Sequence, residues 1–113
     1  MKIINTTKNT ELAVDVLAAD SLLLRMKGLL GRKEFRLDQA IILKPCNSIH
    51  TFFMHFPIDV LFLDRSNSIV GIIENMKPYR ISKIYLKAYY AIELPAGTIK
   101  ITNTRLLDSI TLK

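Results

Sequence analysis

The hexapeptide Ile58-Asp-Val-Leu-Phe-Leu63 constrains this chain more than any other feature. β-Branched and aromatic residues fill it, and apolar side chains stand at both odd and even positions, so it reads as a strand buried on both faces. Asp59 breaks the run. A carboxylate inside such a strand costs free energy unless it is hydrogen-bonded or paired, so the fold must supply it with a partner. The surrounding stretch, Pro45 to Asp64, also holds both histidines, the only cysteine and four of the five phenylalanines.

At 113 residues the chain fits a single domain, 1–113, able to bury one core without metal or disulfide staples. Half of the residues are hydrophobic. Even so, the longest apolar runs are about five residues, against the roughly 20 that span a bilayer, so no membrane segment is expected. Met1-Lys-Ile-Ile-Asn-Thr-Thr-Lys8 turns polar early and lacks the apolar core of a secretory signal. With one cysteine, a reducing cytoplasm is the expected compartment. Sixteen Lys and Arg against ten Asp and Glu give +6 at pH 7. The charge gathers in two clusters: Arg25, Lys27, Arg32, Lys33 and Arg36, and Lys77, Arg80, Lys83 and Lys87, with no acid between Glu74 and Glu93. A solvated face is the ordinary reading of such clusters; a phosphate or nucleic-acid surface is the competing one.

Along the chain, Lys2 to Asn5 and Glu11 to Leu17 predict a hairpin. Asp20 is a good N-cap for a helix from Ser21 to Leu30, with Leu22, Leu23, Met26, Leu29 and Leu30 at helical spacing and Gly31 at its end. Ala40 to Leu43 and Thr51 to Phe56 read as strands or strand ends, the second stopped by Pro57. Ile58 to Leu63 and Ile69 to Ile73 flank a polar turn in which Asn67 suits the left-handed conformation, which predicts a second hairpin. For Arg80 to Ala88 two periods compete. Ile81, Ile84, Tyr85 and Ala88 fit a helix, while Ile84, Leu86 and Ala88 alternate as in a strand, and the residues do not decide. Tyr89 to Leu94 and Ser109 to Leu112 read as the closing strands.

Three blocks carry a resemblance: Lys27-Gly-Leu-Leu-Gly-Arg32, His50-Thr-Phe-Phe-Met-His-Phe-Pro-Ile-Asp-Val-Leu-Phe-Leu-Asp64 and Ile92-Glu-Leu-Pro-Ala-Gly97. In order and spacing they resemble the signature blocks of the DUF192 family, also called UPF0127, over nearly the whole chain. The resemblance implies no established activity. Two departures stand out: Tyr79 occupies a position where the family commonly has Trp, and Leu107-Asp108 stands where it often has Gly-Asp. The second leaves the last turn, and the register of the last strand, open.

Several residues invite a chemical role, each against a plainer reading. His50 and Thr51 precede an aromatic stretch and could face a ligand at the mouth of a barrel, a reading the resemblance strengthens; the plain alternative is a hydrogen-bonded structural histidine. His55 falls on the opposite face if the strand is regular. Cys46 and His50 share strand parity, yet a zinc site needs three or four ligands and no third is evident, so neither a metal nor a cofactor is expected. Nothing nearby orients a Cys46 and His50 nucleophile and base pair, and Cys46 reads as a small packed side chain. Asp59 and Glu93 each interrupt an apolar strand. If those strands are neighbours, the two could pair with Arg32, with His50, or with each other through a shared proton.

The expected fold is α+β: a bent antiparallel sheet or small β-barrel of about seven strands with one packed helix in the N-terminal half. The leading functional expectation is a domain binding a small anionic or polar ligand near Arg32, His50, Thr51, Met54, Asp59 and Glu93. The alternatives are an enzyme using His50 with Asp59 or Glu93 for acid and base chemistry, and nucleic-acid binding through the basic clusters. The sequence says nothing of oligomeric state.

Overall fold

The computed structural model describes residues 1–19, 35–52 and 54–113. Within them lie eight strands and one short helix: β1 (Ile3–Asn5), β2 (Thr10–Ala13), β3 (Asp15–Ala19), β4 (Gln39–Leu43), β5 (Ile58–Leu63), β6 (Ile69–Met76), β7 (Tyr90–Pro95), α1 (Thr98–Ile101) and β8 (Ile110–Leu112). The strands form two sheets, β2-β1-β8 and β3-β4-β7-β5-β6. Among the described residues the chain is therefore mostly β, and the sheets do not close into a barrel. The helix expected from Ser21 to Leu30 lies outside the described residues. No helix among the described residues is long and apolar enough to cross a membrane.

The predicted first hairpin is present, but its second strand divides. β2 pairs antiparallel with β1, whereas β3, one residue further on, pairs parallel with β4 in the other sheet. At the division, both Val14 and Asp15 donate their N–H groups to the Asp38 carbonyl. A wholly antiparallel arrangement was expected; the β3–β4 pair corrects it. Parallel neighbours need a long crossover, and residues 20–38 supply one.

The remaining strands of the larger sheet are antiparallel, with β5 between β6 and β7. All six residues of β5 and all six of β7 are buried, which is the double-faced burial that the Ile58–Leu63 composition predicts. On one face of this sheet Leu61, Leu63, Tyr90, Ile92 and Leu94 pack with Ile3, Leu12 and Ile110 of the smaller sheet. On the other, Ile41, Val60, Phe62 and Ala91 pack with Ile49, Met54, Tyr85 and other side chains from the long loops. The β5–β6 hairpin turns as predicted, with Asn67 at φ 63°.

The described residues of Thr51 to Phe56 do not form a strand. Thr51 is instead tied to residues 77–80: its N–H donates to the Arg80 carbonyl (2.9 Å) and its own carbonyl accepts from Tyr79 N–H (3.0 Å). Residues 80–88 adopt neither of the competing patterns and hold only an isolated bridge, Ile81 to His50. Their inner anchor is Tyr85, whose ring stacks on Phe62 with centroids 4.1 Å apart. Gly71 permits this, because a Cβ there would collide with the Tyr85 ring.

Candidate functional site

Among the described residues Asp59 has three partners, all of them backbone. Its Oδ1 accepts from Asn75 N–H at 2.8 Å, and its Oδ2 from Gly97 and Ile99 N–H at 3.1 and 2.9 Å. Asn75 sits in a bulge of β6 at φ 53°, which turns its N–H toward β5. Gly97, at φ 99°, opens α1, so a carboxylate from a neighbouring strand caps that helix in place of a local side chain. Asp59, 1 % exposed, is thus a staple joining β5, β6 and the β7–α1 corner.

The two strand carboxylates are not a pair. β5 and β7 are neighbours, but Asp59 stands opposite Leu94 and Glu93 opposite Val60. Residues directly opposite share a face, so Asp59 and Glu93 point to opposite sides of the sheet and cannot share a proton. Glu93 lies in a row across the loop-covered face, Leu17, Ile41, Glu93, Val60 and Ile73. Apolar neighbours and 8 % exposure leave it desolvated, and that burial pushes its carboxyl up to about 7.

Thr51 is fully buried, and its hydroxyl is spent on the fold. It donates to the Lys77 carbonyl (2.6 Å) and accepts from Arg80 N–H (3.0 Å), fixing the turn in which Tyr79 holds φ 62°. Met54 is a core side chain. His50 is exposed, its ring 5.2 Å from that of Phe52, which in turn lies 6.5 Å from Tyr79. Cys46 packs beside the loop-side core and donates to the Ser48 carbonyl at 3.2 Å. Among the described residues no group of three His, Cys, Asp or Glu could hold a metal ion. Arg32 lies outside the described residues, as do Arg25, Lys27 and Lys33 of its cluster.

The five expected residues that the structure describes, His50, Thr51, Met54, Asp59 and Glu93, do not line one common pocket. The Thr51 clamp holds one side of an open, shallow cleft of about 430 Å³ between the bulged end of β6 and the following segment, lined by Ile73, Glu74, Asn75, Met76, Lys77, Arg80, Ile81 and Ser82. It carries two cations and one acid, and Ile81 in its lining bridges through the backbone to His50. The sequence shows Lys77 and Arg80 as a basic cluster. It does not show that a threonine 26 residues earlier holds them at one rim.

A second polar cluster left no local signal either. Asp108 accepts from Asn5 Nδ2 (3.0 Å), Lys8 Nζ (2.9 Å) and Arg105 N–H (2.9 Å). Burial alone would raise its carboxyl, but these hydrogen bonds and the Lys8 charge hold it below the usual range. The network joins the first hairpin to the last turn, so its partners are about a hundred residues apart.

The profile of DUF192, described as an uncharacterized ACR, matches residues 3–112. The chain belongs to the DUF192 family. A UPF0127 protein of Pyrococcus horikoshii is 40% identical over 99 residues, covering 84% of each chain. A UPF0127 protein of Pyrococcus furiosus is 30% identical over 112 residues, covering 95% of this chain and 94% of its own. In fold, the chain is similar to a proposed transcription regulator from Sinorhizobium meliloti (TM-score 0.82, 22% identity, 97% of this chain and 89% of that one). It is also similar to a protein of unknown function from Novosphingobium aromaticivorans (TM-score 0.82, 17% identity, 98% and 82%). The two departures of this DUF192 chain now have a geometry. Leu107 and Tyr79 both have positive φ, 70° and 62°. The last strand keeps a regular register on β1 despite Leu107, from Ile3↔Leu112 to Asn5↔Ile110.

Proposed function

We propose that this DUF192 domain binds a small anionic metabolite in the cleft between β6 and residues 77–82. The observation that carries the reading is the cleft itself: Lys77 and Arg80 line it together, on a turn that a buried threonine clamps from another part of the chain. A tight turn holding a bulky residue at positive φ is costly, and such backbone is commonly retained where it shapes a site. The two cations favour a carboxylate or phosphate ligand, and Asn75 and Ser82 add neutral polar groups at its edge. In this reading Thr51 and Asp59 build the walls, through the 77–80 turn and the β6 bulge, and His50 stands at the rim. A reducing cytoplasmic setting suits the single cysteine.

The experiment is a thermal-shift titration of the full chain with citrate, inorganic phosphate and adenosine monophosphate. A ligand at about a hundred times its Kd stabilises by about 2.7 kcal/mol, several degrees in a domain of this size. Arg80→Ala should remove the shift without lowering the ligand-free Tm. If none of the three probes moves the parent, the reading is wrong.

Two other readings also have observations behind them. Glu93, with a carboxyl near neutrality, has the proton affinity of a general acid or base. It lies two strands from the cleft residue Ile73, roughly 10 Å away at ordinary strand spacing. The Sinorhizobium neighbour and the cations of residues 77–87 favour nucleic acid instead. RNA binding that weakens steeply with salt would support that reading.

A further inference from the structure

Burial along residues 80–88 has a period of three, which neither an α-helix nor a strand produces. Ser82, Tyr85 and Ala88 turn inward: Ser82 N–H donates to the Ile49 carbonyl and Tyr85 N–H to the Asn47 carbonyl, both at 2.8 Å. Tyr85 and Ala88 also pack against the loop-side core. Between these anchors the outward positions come in pairs, Arg80 with Ile81, Lys83 with Ile84, and Leu86 with Lys87. Each pair is one cation and one aliphatic side chain. Ile81 is 66%, Ile84 61% and Leu86 90% exposed, among the most exposed large apolar residues of the described chain. No acid occurs between Glu74 and Glu93.

We propose that this edge docks on an anionic lipid surface, with Ile81, Ile84 and Leu86 entering the boundary between headgroups and acyl chains and Arg80, Lys83 and Lys87 meeting lipid phosphates and carboxylates. Interleaving is the argument. Lysine stems lie along apolar surface while their ammonium groups stay with the headgroups, so alternating Lys and aliphatic residues satisfy a bilayer boundary at every position. A protein partner fits less well, because Lys is depleted from protein interfaces and the anchors there are Trp, Tyr and Arg. Nucleic acid would use the cations and leave three exposed aliphatic side chains without a role. The anchors at Ser82 and Tyr85 hold the edge in place, so little order is lost on docking. This is attachment to a surface, and no part of it spans a bilayer.

The test is co-sedimentation of the full chain with vesicles of phosphatidylcholine alone and of phosphatidylcholine with roughly one quarter phosphatidylserine, at low and moderate salt. The parent should sediment with the anionic vesicles only. Lys83→Gln with Lys87→Gln should lower partitioning roughly 30-fold at low salt, about fivefold per cation. Ile84→Ser with Leu86→Ser should lower it at least tenfold and leave only binding that salt abolishes. All four positions are exposed; Lys83 also holds its ammonium 5.1 Å from the centroid of the Tyr85 ring, so the lysine pair should melt slightly below the parent while the Ile84 and Leu86 pair melts with it, and none of the four lines the cleft, so failure here leaves the metabolite reading standing. Absence of sedimentation with anionic vesicles at low salt overturns the proposal. So does unchanged binding of the Ile84 and Leu86 variant, which would make the edge a general polyanion surface, or binding of free phosphoserine with no vesicle binding.

Discussion

Replacing Glu93 by Gln should change how the stability of this domain depends on pH. In the unfolded chain the carboxyl titrates near 4.5, and in the fold burial raises it to about 7. Below pH 4.5 both states are protonated and the favourable contribution of the neutral acid is fully present. Between the two values the unfolded state has released its proton while the folded state keeps it. Stability therefore falls as pH rises, and the loss is complete above about pH 7. A separation of this size corresponds to about 3 kcal/mol at 1.36 kcal/mol per unit. Gln cannot ionise, so the variant escapes that loss, but its amide also needs partners and its burial costs about 1 to 3 kcal/mol at every pH. The decisive quantity is thus the change in the parent-to-variant difference across the window. Urea denaturation of both proteins at several values from pH 4.5 to 8 measures it, because other titrating groups cancel in the difference. The variant should gain on the parent by about 3 kcal/mol over that range. A difference that stays constant within about 0.5 kcal/mol would refute the claim that burial raises the Glu93 carboxyl.

Two further substitutions test the backbone account. Asp59→Asn sets an amide N–H against backbone N–H donors and should destabilise by about 1 to 3 kcal/mol, with Asp59→Ala at least as costly because three buried N–H groups lose their acceptor. Guanidinium denaturation reads both, and a neutral Asp59→Ala would contradict the staple. Leu107→Gly should stabilise by up to about 1 kcal/mol, since Leu107 is 77% exposed and at φ 70°, where a side chain costs about 1 to 2 kcal/mol and the entropy of Gly returns only part of it. A loss of more than about 0.5 kcal/mol in the same assay would show that the Leu107 side chain contributes packing there.

Where composition and spacing act locally, the sequence was legible. The buried β5, the Asn67 turn, the first hairpin and the need for an Asp59 partner were all expressed within a few residues of one another. The partners themselves were not, because backbone N–H groups at 75, 97 and 99 leave no mark in side-chain patterns. Nor could strand parity reveal that β3 leaves the first sheet after Val14, since alternation is the same whichever sheet a strand joins. Asp59 and Glu93 looked alike as acids in apolar strands. Their opposite facing depends on the β5–β7 register, which is fixed by the turns and the core together. The cleft was hidden for a related reason: Thr51 acts on residues 77–80 through hydrogen bonds that span 26 residues or more.

The most direct test of the anionic-ligand reading is an amide-resonance titration of the 15N-labelled chain with citrate. Saturable shifts should map to Ile73 through Ser82, the residues around the cleft, and Arg80→Ala should abolish them while leaving the rest of the spectrum in place. Shifts that never saturate, or that centre on Lys83 to Lys87 with residues 73–76 unmoved, would contradict a ligand cleft and leave those cations as a diffuse charged surface.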